Sequence, residues 1–279
     1  MRIGLDYYAT RAAAITGAGS GIGRSLALEL AARGAQLALS DRDSDSLAET
    51  ARRCRAAGAL VHAATIDVTD RRAVLEYSPV VFAEFGRVDL VFCVAGVIHT
   101  GSLLTSEFSD IEHVMNVNLW GVVNTVKAFL PAVIASGGGH LVNISSAFGL
   151  MAAPHYSAYN ASKFAVRGLT ESLRQEMALD GHPVSVTGVY PGGIRTSILR
   201  NGRFAAGEDA AAVTASFEKK IARTSPEKAA SIILRGVQRR RAQVLVGADA
   251  RAVSLFVRAV GSAYQDLLPR LARRTRPVR

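Results

Sequence analysis

The sequence contains few of the residues that hold small extracellular domains or metal sites together. Among its 279 residues there are only two cysteines, Cys54 and Cys93, and one tryptophan. The two cysteines are far apart and lie in helical or apolar surroundings, which is typical of reduced, buried thiols. We therefore expect no disulfide framework and no metal site. A chain of this length can bury a full core without either.

Long apolar segments are also missing. No run of 18 apolar residues occurs, and the first residues, MRIGLDYYATR, contain no apolar stretch of the kind found in a secretory signal peptide. The sequence therefore predicts a cytoplasmic protein.

Positive charge is present in excess, but only in one part of the chain. The formal net charge is +10, from 33 Lys and Arg and 23 Asp and Glu. From Arg223 onward there are 13 basic and 3 acidic residues, which leaves 20 of each sign in residues 1–222. The basic character therefore belongs to the C-terminal part.

Short aliphatic runs alternate with amphipathic segments of helical length. The runs that favour buried strands are AAAIT, QLALS, LVHAAT, VDLVFCV, GHLVNIS, VSVTGVY and AQVLV. The segments with helical periodicity lie at about 21–33, 44–57, 70–85, 107–136, 156–180 and 226–240. This alternation predicts an α/β fold, a single doubly wound parallel sheet (Rossmann fold) of about seven strands with helices on both faces.

One long connection lacks periodicity. It covers residues 192–216 and follows the sixth predicted strand. Long loops inside compact domains often cover a functional site, so we predict that this segment, called the lid segment below, closes over a substrate.

A glycine-rich turn joins the first strand to the first helix. In TGAGSGIG, residues 16–23, glycines at 17, 21 and 23 allow a tight turn, and the helix N-terminus favours a pyrophosphate. Asp41 ends the second strand 18 residues after Gly23, where a carboxylate can accept hydrogen bonds from adenosine ribose hydroxyls. Asp41 could instead cap the next helix, because SDRDSDSLAE is also a helix start signal.

Two tyrosines compete for a chemical role in YSAYNASKF. Tyr159 and Lys163 are four residues apart and share one face of a helix, whereas Tyr156 is seven residues from the lysine. The spacing therefore favours Tyr159 as the reacting group and Tyr156 as a wall of the pocket.

Together, T-G-x-x-x-G-x-G at 16–23 and Y-x-x-x-K at 159–163 resemble the motifs of the short-chain dehydrogenase/reductase family, over about residues 12–246. The resemblance implies an oxidoreductase that transfers a hydride between a nicotinamide cofactor and a secondary alcohol or ketone. It also implies a dinucleotide-binding and catalytic domain over 1–248, and assembly as a homodimer or homotetramer.

The chain departs from the family pattern at one place. Cys93 and Val94 stand where the family usually has two asparagines before Ala95 and Gly96. The side-chain amides that brace the sheet in the family are therefore absent, and we expect another packing solution to hold Ala95 and Gly96 near the cofactor.

The resemblance also implies roles for individual residues. Ser146 is expected to bind the substrate oxygen, and Asn118 to bend its helix and hold a water in a proton relay to Lys163. The catalytic set is Asn118, Ser146, Tyr159 and Lys163. The cofactor-binding set is Gly17, Ser20, Gly21, Ile22, Gly23, Asp41, Arg42, Asp67, Val68, Ala95, Gly96, Tyr159, Lys163, Pro191, Gly192, Ile194 and Thr196. The substrate pocket is predicted to contain Ser146, His155, Tyr156 and Tyr159.

The chemistry explains the pairing of Tyr159 with Lys163. A phenol with a reference pKa of about 10 is a poor base at neutral pH, but a nearby ammonium and a cationic nicotinamide both favour the phenolate. A decrease of about three pKa units corresponds to about 4 kcal/mol, which two charges in a water-poor cleft can supply.

The cofactor and substrate are predicted only by class. Asp41 should repel the 2′-phosphate of NADP, which favours NAD, but Arg42 could contact that phosphate and NADP remains the alternative. The segments FGLMAAPHY and TSILRNGRF are largely apolar, which favours a hydrophobic carbonyl compound. A nucleotide-sensing or interaction protein without turnover is the rival hypothesis, and the intact catalytic set argues against it.

Three explanations compete for the basic C-terminal part, residues 249–279. Its apolar residues have helical spacing, with arginines between them. The segment could form a helix over 249–270 docked on the domain, an amphipathic helix in peripheral contact with an anionic membrane, or a nucleic-acid contact. We expect the docked helix, with disordered final arginines. No recognition motif supports nucleic acid.

Overall fold

The computed structural model describes residues 7–275, with side chains described as far as residue 270. The strands are β1 (Ala12–Thr16), β2 (Gln36–Asp41), β3 (Val61–Thr65), β4 (Leu90–Cys93), β5 (His99–Thr100), β6 (His140–Ile144), β7 (Ser185–Pro191), β8 (Arg203–Phe204) and β9 (Gln243–Val246). Seven of them form one sheet in the order β3-β2-β1-β4-β6-β7-β9, and every pair in it is parallel. The predicted doubly wound fold is confirmed.

Helices cover both faces of this sheet. They are α1 (Gly21–Ala31), α2 (Ser44–Ala56), α3 (Arg71–Phe85), α4 (Phe108–Met115), α5 (Gly121–Ala135), α6 (Ser157–Leu179), α7 (Ala210–Lys220), α8 (Pro226–Gln238), α9 (Ala248–Val260) and α10 (Tyr264–Thr275). One face packs against α1, α2 and α8, and the other against α3, α5 and α6. The strands are buried on both sides, which explains their continuous apolar runs.

The beginning of α2 shows whether Asp41 caps this helix. The N-cap is Asp43, whose side chain accepts a hydrogen bond from the Ser46 amide. Such a cap satisfies a backbone amide that has no partner inside the helix. The proposal that Asp41 caps this helix is therefore wrong.

The segment predicted as one helix over 107–136 contains an irregular turn. A π-helical turn, Asn116–Trp120, separates α4 from α5 without ending the helical path. Within the described chain, Phe108–Ala135 is the one helical segment long and apolar enough to cross a membrane by length and composition, but half of its most apolar window is buried in the fold.

The lid segment is more ordered than its sequence suggests. It contains β8, which pairs with β5 in a small separate sheet, and its last residues begin α7. Arg203 adds an ion pair to Asp110 at 3.0 Å. The pairing partner lies about 100 residues earlier, so local periodicity could not reveal this strand.

The C-terminal part forms two helices, not the single helix predicted over 249–270. A short 3-10 turn, Gly261–Ala263, separates them, and Gly261 has φ of +57°. Helix α9 docks through buried Ala250 and Ser254. In α10, the Tyr264 hydroxyl accepts a hydrogen bond from the Ala152 amide. Of the final arginines, which were predicted to be disordered, Arg273 and Arg274 lie in the backbone of α10, and Arg276 and Arg279 lie outside the described residues.

Candidate active site

A cleft of about 570 Å³ opens at the carboxyl ends of the strands, where the strand order reverses between β1 and β4. In open α/β sheets this is the usual place for a ligand. The glycine-rich turn forms one side of the cleft, and the lid segment and residues of α7 and α9 lie across from it.

The glycines of the turn let neighbouring backbone segments approach one another more closely than side chains would allow. Gly17 has φ of +67°, and a Cβ there would lie 2.7 Å from the Ala95 nitrogen. A Cβ on Gly23 would lie 2.0 Å from the Gly17 oxygen. Helix α1 begins at Gly21 with no acidic residue in its first turn. The turn therefore offers backbone amides and a helix N-terminus to an anion.

Asp41 connects β2 to this turn. One of its carboxylate oxygens accepts a hydrogen bond from the Gly19 amide at 2.8 Å, and the other accepts from the Asp43 amide at 3.0 Å. Asp41 and the exposed Arg42 both line the cleft. The carboxylate is thus fixed at the end where adenosine is expected.

Arg24 stabilises the glycine-rich turn, and no sequence pattern indicated this role for the arginine. Its guanidinium donates to the carbonyl of Gly19, to the carbonyl of Ser46 at 3.1 Å and to the hydroxyl of Thr50 at 2.9 Å. It therefore ties the glycine-rich turn to α2.

Thr16, in the glycine-rich motif, holds the backbone that follows β4. Its hydroxyl accepts hydrogen bonds from the amides of Val94 (3.0 Å) and Ala95 (3.3 Å). Cys93 is buried, and burial raises the pKa of its thiol to about 12, so it remains protonated. Thr16 therefore positions the backbone of Val94 and Ala95 at the cleft.

Two other predicted cofactor-binding residues, Asp67 and Val68, follow β3. Val68 is buried, and its carbonyl accepts a hydrogen bond from the Asn124 side chain at 3.0 Å. Exposed Asp67 accepts from the Thr69 amide at 2.8 Å, and both Asp67 and Val68 line the cleft.

Tyr159, Ser146 and Lys163 meet on one wall of the cleft. The Lys163 ammonium lies 5.6 Å from the centre of the Tyr159 ring and donates to the Ile144 carbonyl at 3.1 Å. Burial lowers the pKa of Lys163 to about 8. Burial raises the pKa of Tyr159 to about 12, opposed by a hydrogen bond from Ser146. In this structure desolvation of the phenol therefore outweighs its hydrogen bond with Ser146.

The two adjacent serines have different surroundings. Ser145 is buried and donates to the Lys163 carbonyl at 2.7 Å, so it anchors α6 to β6. Ser146 accepts a hydrogen bond from the Phe148 amide at 3.1 Å and lies beside Tyr159. Only Ser146 has its hydroxyl placed with the reacting phenol, as predicted.

Asn118 lies in the π-helical turn and is completely buried. Its carbonyl oxygen accepts from the Val97 amide, and its amide group donates to the Val97 carbonyl, both at 2.9 Å. It also donates to Ser162 at 3.0 Å. In this structure Asn118 therefore braces the loop after β4 beside Lys163.

The structure separates the two residues before α6. Tyr156 lines the cleft, and its ring centre lies 5.2 Å from that of Phe148. His155, predicted in the substrate pocket, does not line the cleft; its Nδ1 lies 3.4 Å from a carboxylate oxygen of Glu208 in the lid segment. With φ of +67°, the backbone at His155 turns sharply before the helix, and this residue contacts the lid segment instead.

The segment after β7 closes the cleft on its other side. Pro191, Gly192, Ile194 and Thr196 all line it, and the Thr196 methyl lies 3.0 Å from the position of a Cβ on Gly21. The Gly193 amide donates to Asp249 at 2.5 Å. The lining residues that sequence reasoning missed include Phe217, Ile221, Asp249 and Val253.

Comparison with known proteins agrees with this geometry. A family model described as short chain dehydrogenase matches residues 11–205. The chain belongs to this family. This short-chain dehydrogenase is 54% identical over 258 residues to SadH of Mycobacterium tuberculosis, which is designated an oxidoreductase. The match covers 92% of this chain and 94% of SadH.

Solved structures place this short-chain dehydrogenase among nicotinamide-dependent enzymes. A Burkholderia phymatum short-chain dehydrogenase/reductase in complex with NAD has a TM-score of 0.85 and 29% identity, covering 91% of this chain and 95% of that one. An alcohol dehydrogenase from Thermococcus sibiricus, complexed with 5-hydroxy-NADP, has a TM-score of 0.73 and 27% identity, covering 85% and 95%. The chain is therefore an oxidoreductase of the short-chain family with a nicotinamide cofactor.

Proposed function

We propose that this short-chain dehydrogenase interconverts a hydrophobic secondary alcohol and its ketone, with NAD as the preferred cofactor. The observation that carries the proposal is the meeting of Tyr159, Ser146 and Lys163 on one wall of a cleft whose other end is a glycine-rich turn. A protein that only senses nucleotides needs the turn but has no need of a buried phenol beside a serine and a lysine.

The residues on the wall divide the chemistry among them. When bound, the nicotinamide accepts or supplies the hydride. Ser146 holds the substrate oxygen, and Tyr159 removes its proton during oxidation or returns it during reduction. Lys163, with a pKa of about 8, is largely charged at pH 7 and stabilises the phenolate that Tyr159 forms.

The cleft lining supports an apolar substrate. Around Tyr159 the pocket is lined by Ile98, Phe148, Ile198, Leu199 and Phe217. A pocket of this composition favours apolar groups around a single reactive oxygen. The name of the Thermococcus sibiricus relative, an alcohol dehydrogenase, agrees with that oxygen being a hydroxyl.

The proposed function is tested with a panel of secondary alcohols and ketones of increasing chain length, by following nicotinamide absorbance with NAD and with NADP. We expect turnover that improves with apolar substrate size. Tight NAD binding without turnover on any member of a broad panel would favour the nucleotide-sensing alternative.

The carboxylate at the adenosine end predicts the cofactor preference. Asp41→Ala should lower the ratio of kcat/KM for NAD to that for NADP by on the order of tenfold, because a fixed negative charge no longer repels the 2′-phosphate. Asp41→Asn is the matched control, since it removes the charge but keeps an acceptor for the Gly19 amide. A wild-type enzyme more efficient with NADP than with NAD would contradict the assignment.

Assembly as a homodimer or homotetramer stays a prediction. Phe108, Trp120 and Phe164 are large apolar residues with exposed fractions of 81%, 46% and 37% on α4, the π-helical turn and α6. Such residues favour a self-complementary interface. Light scattering at micromolar concentration should show a species of at least two chains, and a monomer would contradict this. Cytoplasmic location also stays a prediction, and peripheral membrane contact through the basic C-terminal part stays an alternative to the docked helix.

A further inference from the structure

One side of the cofactor cleft is held by a carboxylate from the C-terminal part. Asp249 lies in the first turn of α9 and lines the cleft, although the family model ends at residue 205. A negative side chain in the first helical turn is favoured by the helix dipole, so this position suits an aspartate.

The contacts of Asp249 are directed at the turn that follows β7. Its Oδ2 accepts the Gly193 amide at 2.5 Å. A Cβ on Gly192 would lie 2.2 Å from both carboxylate oxygens, and one on Gly247 would lie 2.4 Å from Oδ1. The carboxylate therefore occupies the space that side chains at Gly192 and Gly247 would need, and it packs against the backbone of the turn.

The same turn is held independently on its opposite side. The Gly193 carbonyl accepts from the Thr224 amide at 3.2 Å, and the Arg195 amide donates to the Thr224 carbonyl at 2.9 Å. Gly192 is held separately by the Val246 carbonyl at 2.9 Å. Removing the Asp249 carboxylate would therefore free one amide and loosen the turn locally without detaching it.

We propose that Asp249 is a positioning residue for the nicotinamide end of the cofactor. By accepting a hydrogen bond from the Gly193 amide, it fixes the backbone of residues 192–194. The docking of α9, which carries Asp249, therefore determines how firmly the nicotinamide is bound. The inference rests on the proposed function, because it requires a nicotinamide cofactor in this cleft with its carboxamide at the Ile194 backbone, as the family resemblance implies.

The test compares two ligands that differ only at the nicotinamide end, NAD and ADP-ribose. In Asp249→Ala the dissociation constant for NAD should rise about tenfold, because a hydrogen bond to a charged acceptor is lost, while that for ADP-ribose stays within about threefold. Asp249→Asn keeps an acceptor and should retain most of the NAD affinity. Asp266→Ala, at an exposed position of α10, is the control for an acidic residue removed elsewhere.

The outcomes are distinguishable. Equal losses for both ligands would show a general structural role and overturn the proposal, as would unchanged NAD binding in Asp249→Ala or equally poor binding in Asp249→Asn. If the wild type binds neither ligand, the proposed function fails together with this inference. If the wild type binds both but the variants do not separate them, this inference alone fails. Thermal unfolding of each variant shows that it is folded.

Discussion

Tyr159→Phe should lower kcat by about 10²–10⁴, the usual contribution of a general acid or base, while the dissociation constant for NAD changes little. The substitution removes only the hydroxyl that exchanges a proton with the substrate, and the ring keeps its place beside Phe148, whose centre is 6.2 Å away. Steady-state kinetics and cofactor titration by fluorescence measure the two quantities separately.

Tyr156→Phe is the matched control for this prediction. Tyr156 lines the same cleft but lies at the first residue before α6, and the hydroxyl beside Ser146 belongs to Tyr159. We expect the control to keep most of its activity. If the two variants lost activity equally, or in the reverse order, the assignment of the base would be wrong.

Lys163→Met is expected to separate activity from stability. Activity should fall by about 10²–10⁴, because the phenolate loses its neighbouring charge. Cofactor affinity should also fall, since the family resemblance places Lys163 in the cofactor-binding set. Without cofactor, however, the variant should resist unfolding better than the wild type at pH 7. Burial lowers the Lys163 pKa from 10.5 to about 8, which corresponds to a cost of about 3 kcal/mol for holding the charge in the fold.

The stability difference between Lys163→Met and the wild type should depend on pH. The wild type gains stability as the pH rises from about 8 toward 10.5, because the folded state releases the Lys163 proton before the unfolded state does. The advantage of Lys163→Met should therefore be largest below pH 8 and shrink above it. The lost hydrogen bond to Ile144 reduces the advantage by about 1 kcal/mol. Urea unfolding at several pH values measures it, and a variant less stable at every pH would refute the prediction.

The sheet and its main helices could be predicted from the sequence because their signals are local. The predicted helix at 44–57 is found at Ser44–Ala56, and the predicted strand AAAIT is β1 without change. Parallel strands buried on both faces produce continuous apolar runs, and the helices between them show a single apolar stripe. These two patterns are easily told apart in this chain.

Features that depend on distant partners could not be predicted. Strand β8 exists only because β5 lies beside it, and the break between α9 and α10 depends on a left-handed Gly261. The contacts of Arg24 and Asp249 with the cleft follow from packing between helices and turns that no spacing rule connects. His155 was assigned by its nearness in sequence to Tyr159, but the helix start turns it toward Glu208.

The site residues divide in the same way. Tyr159 and Lys163 are four residues apart on α6, so the helix brings them together directly, whereas Ser146 was placed with them by the family resemblance. The pKa of Tyr159 is different, because it depends on how completely the fold excludes water from the phenol. A motif specifies the neighbours of a group, but desolvation is a property of the assembled cleft.

The position of Tyr8 has a consequence for synthesis of the protein. Its ring is completely buried, and its hydroxyl donates to the carbonyl of Leu234, 226 residues later, while α1 packs against α8. A ribosome adding about 5–20 residues per second needs roughly 11–45 s to produce the residues in between. During that interval the apolar face of α1 has no native partner from α8. The nascent chain is therefore most exposed to aggregation before α8 emerges, and chaperone dependence should be concentrated in that period.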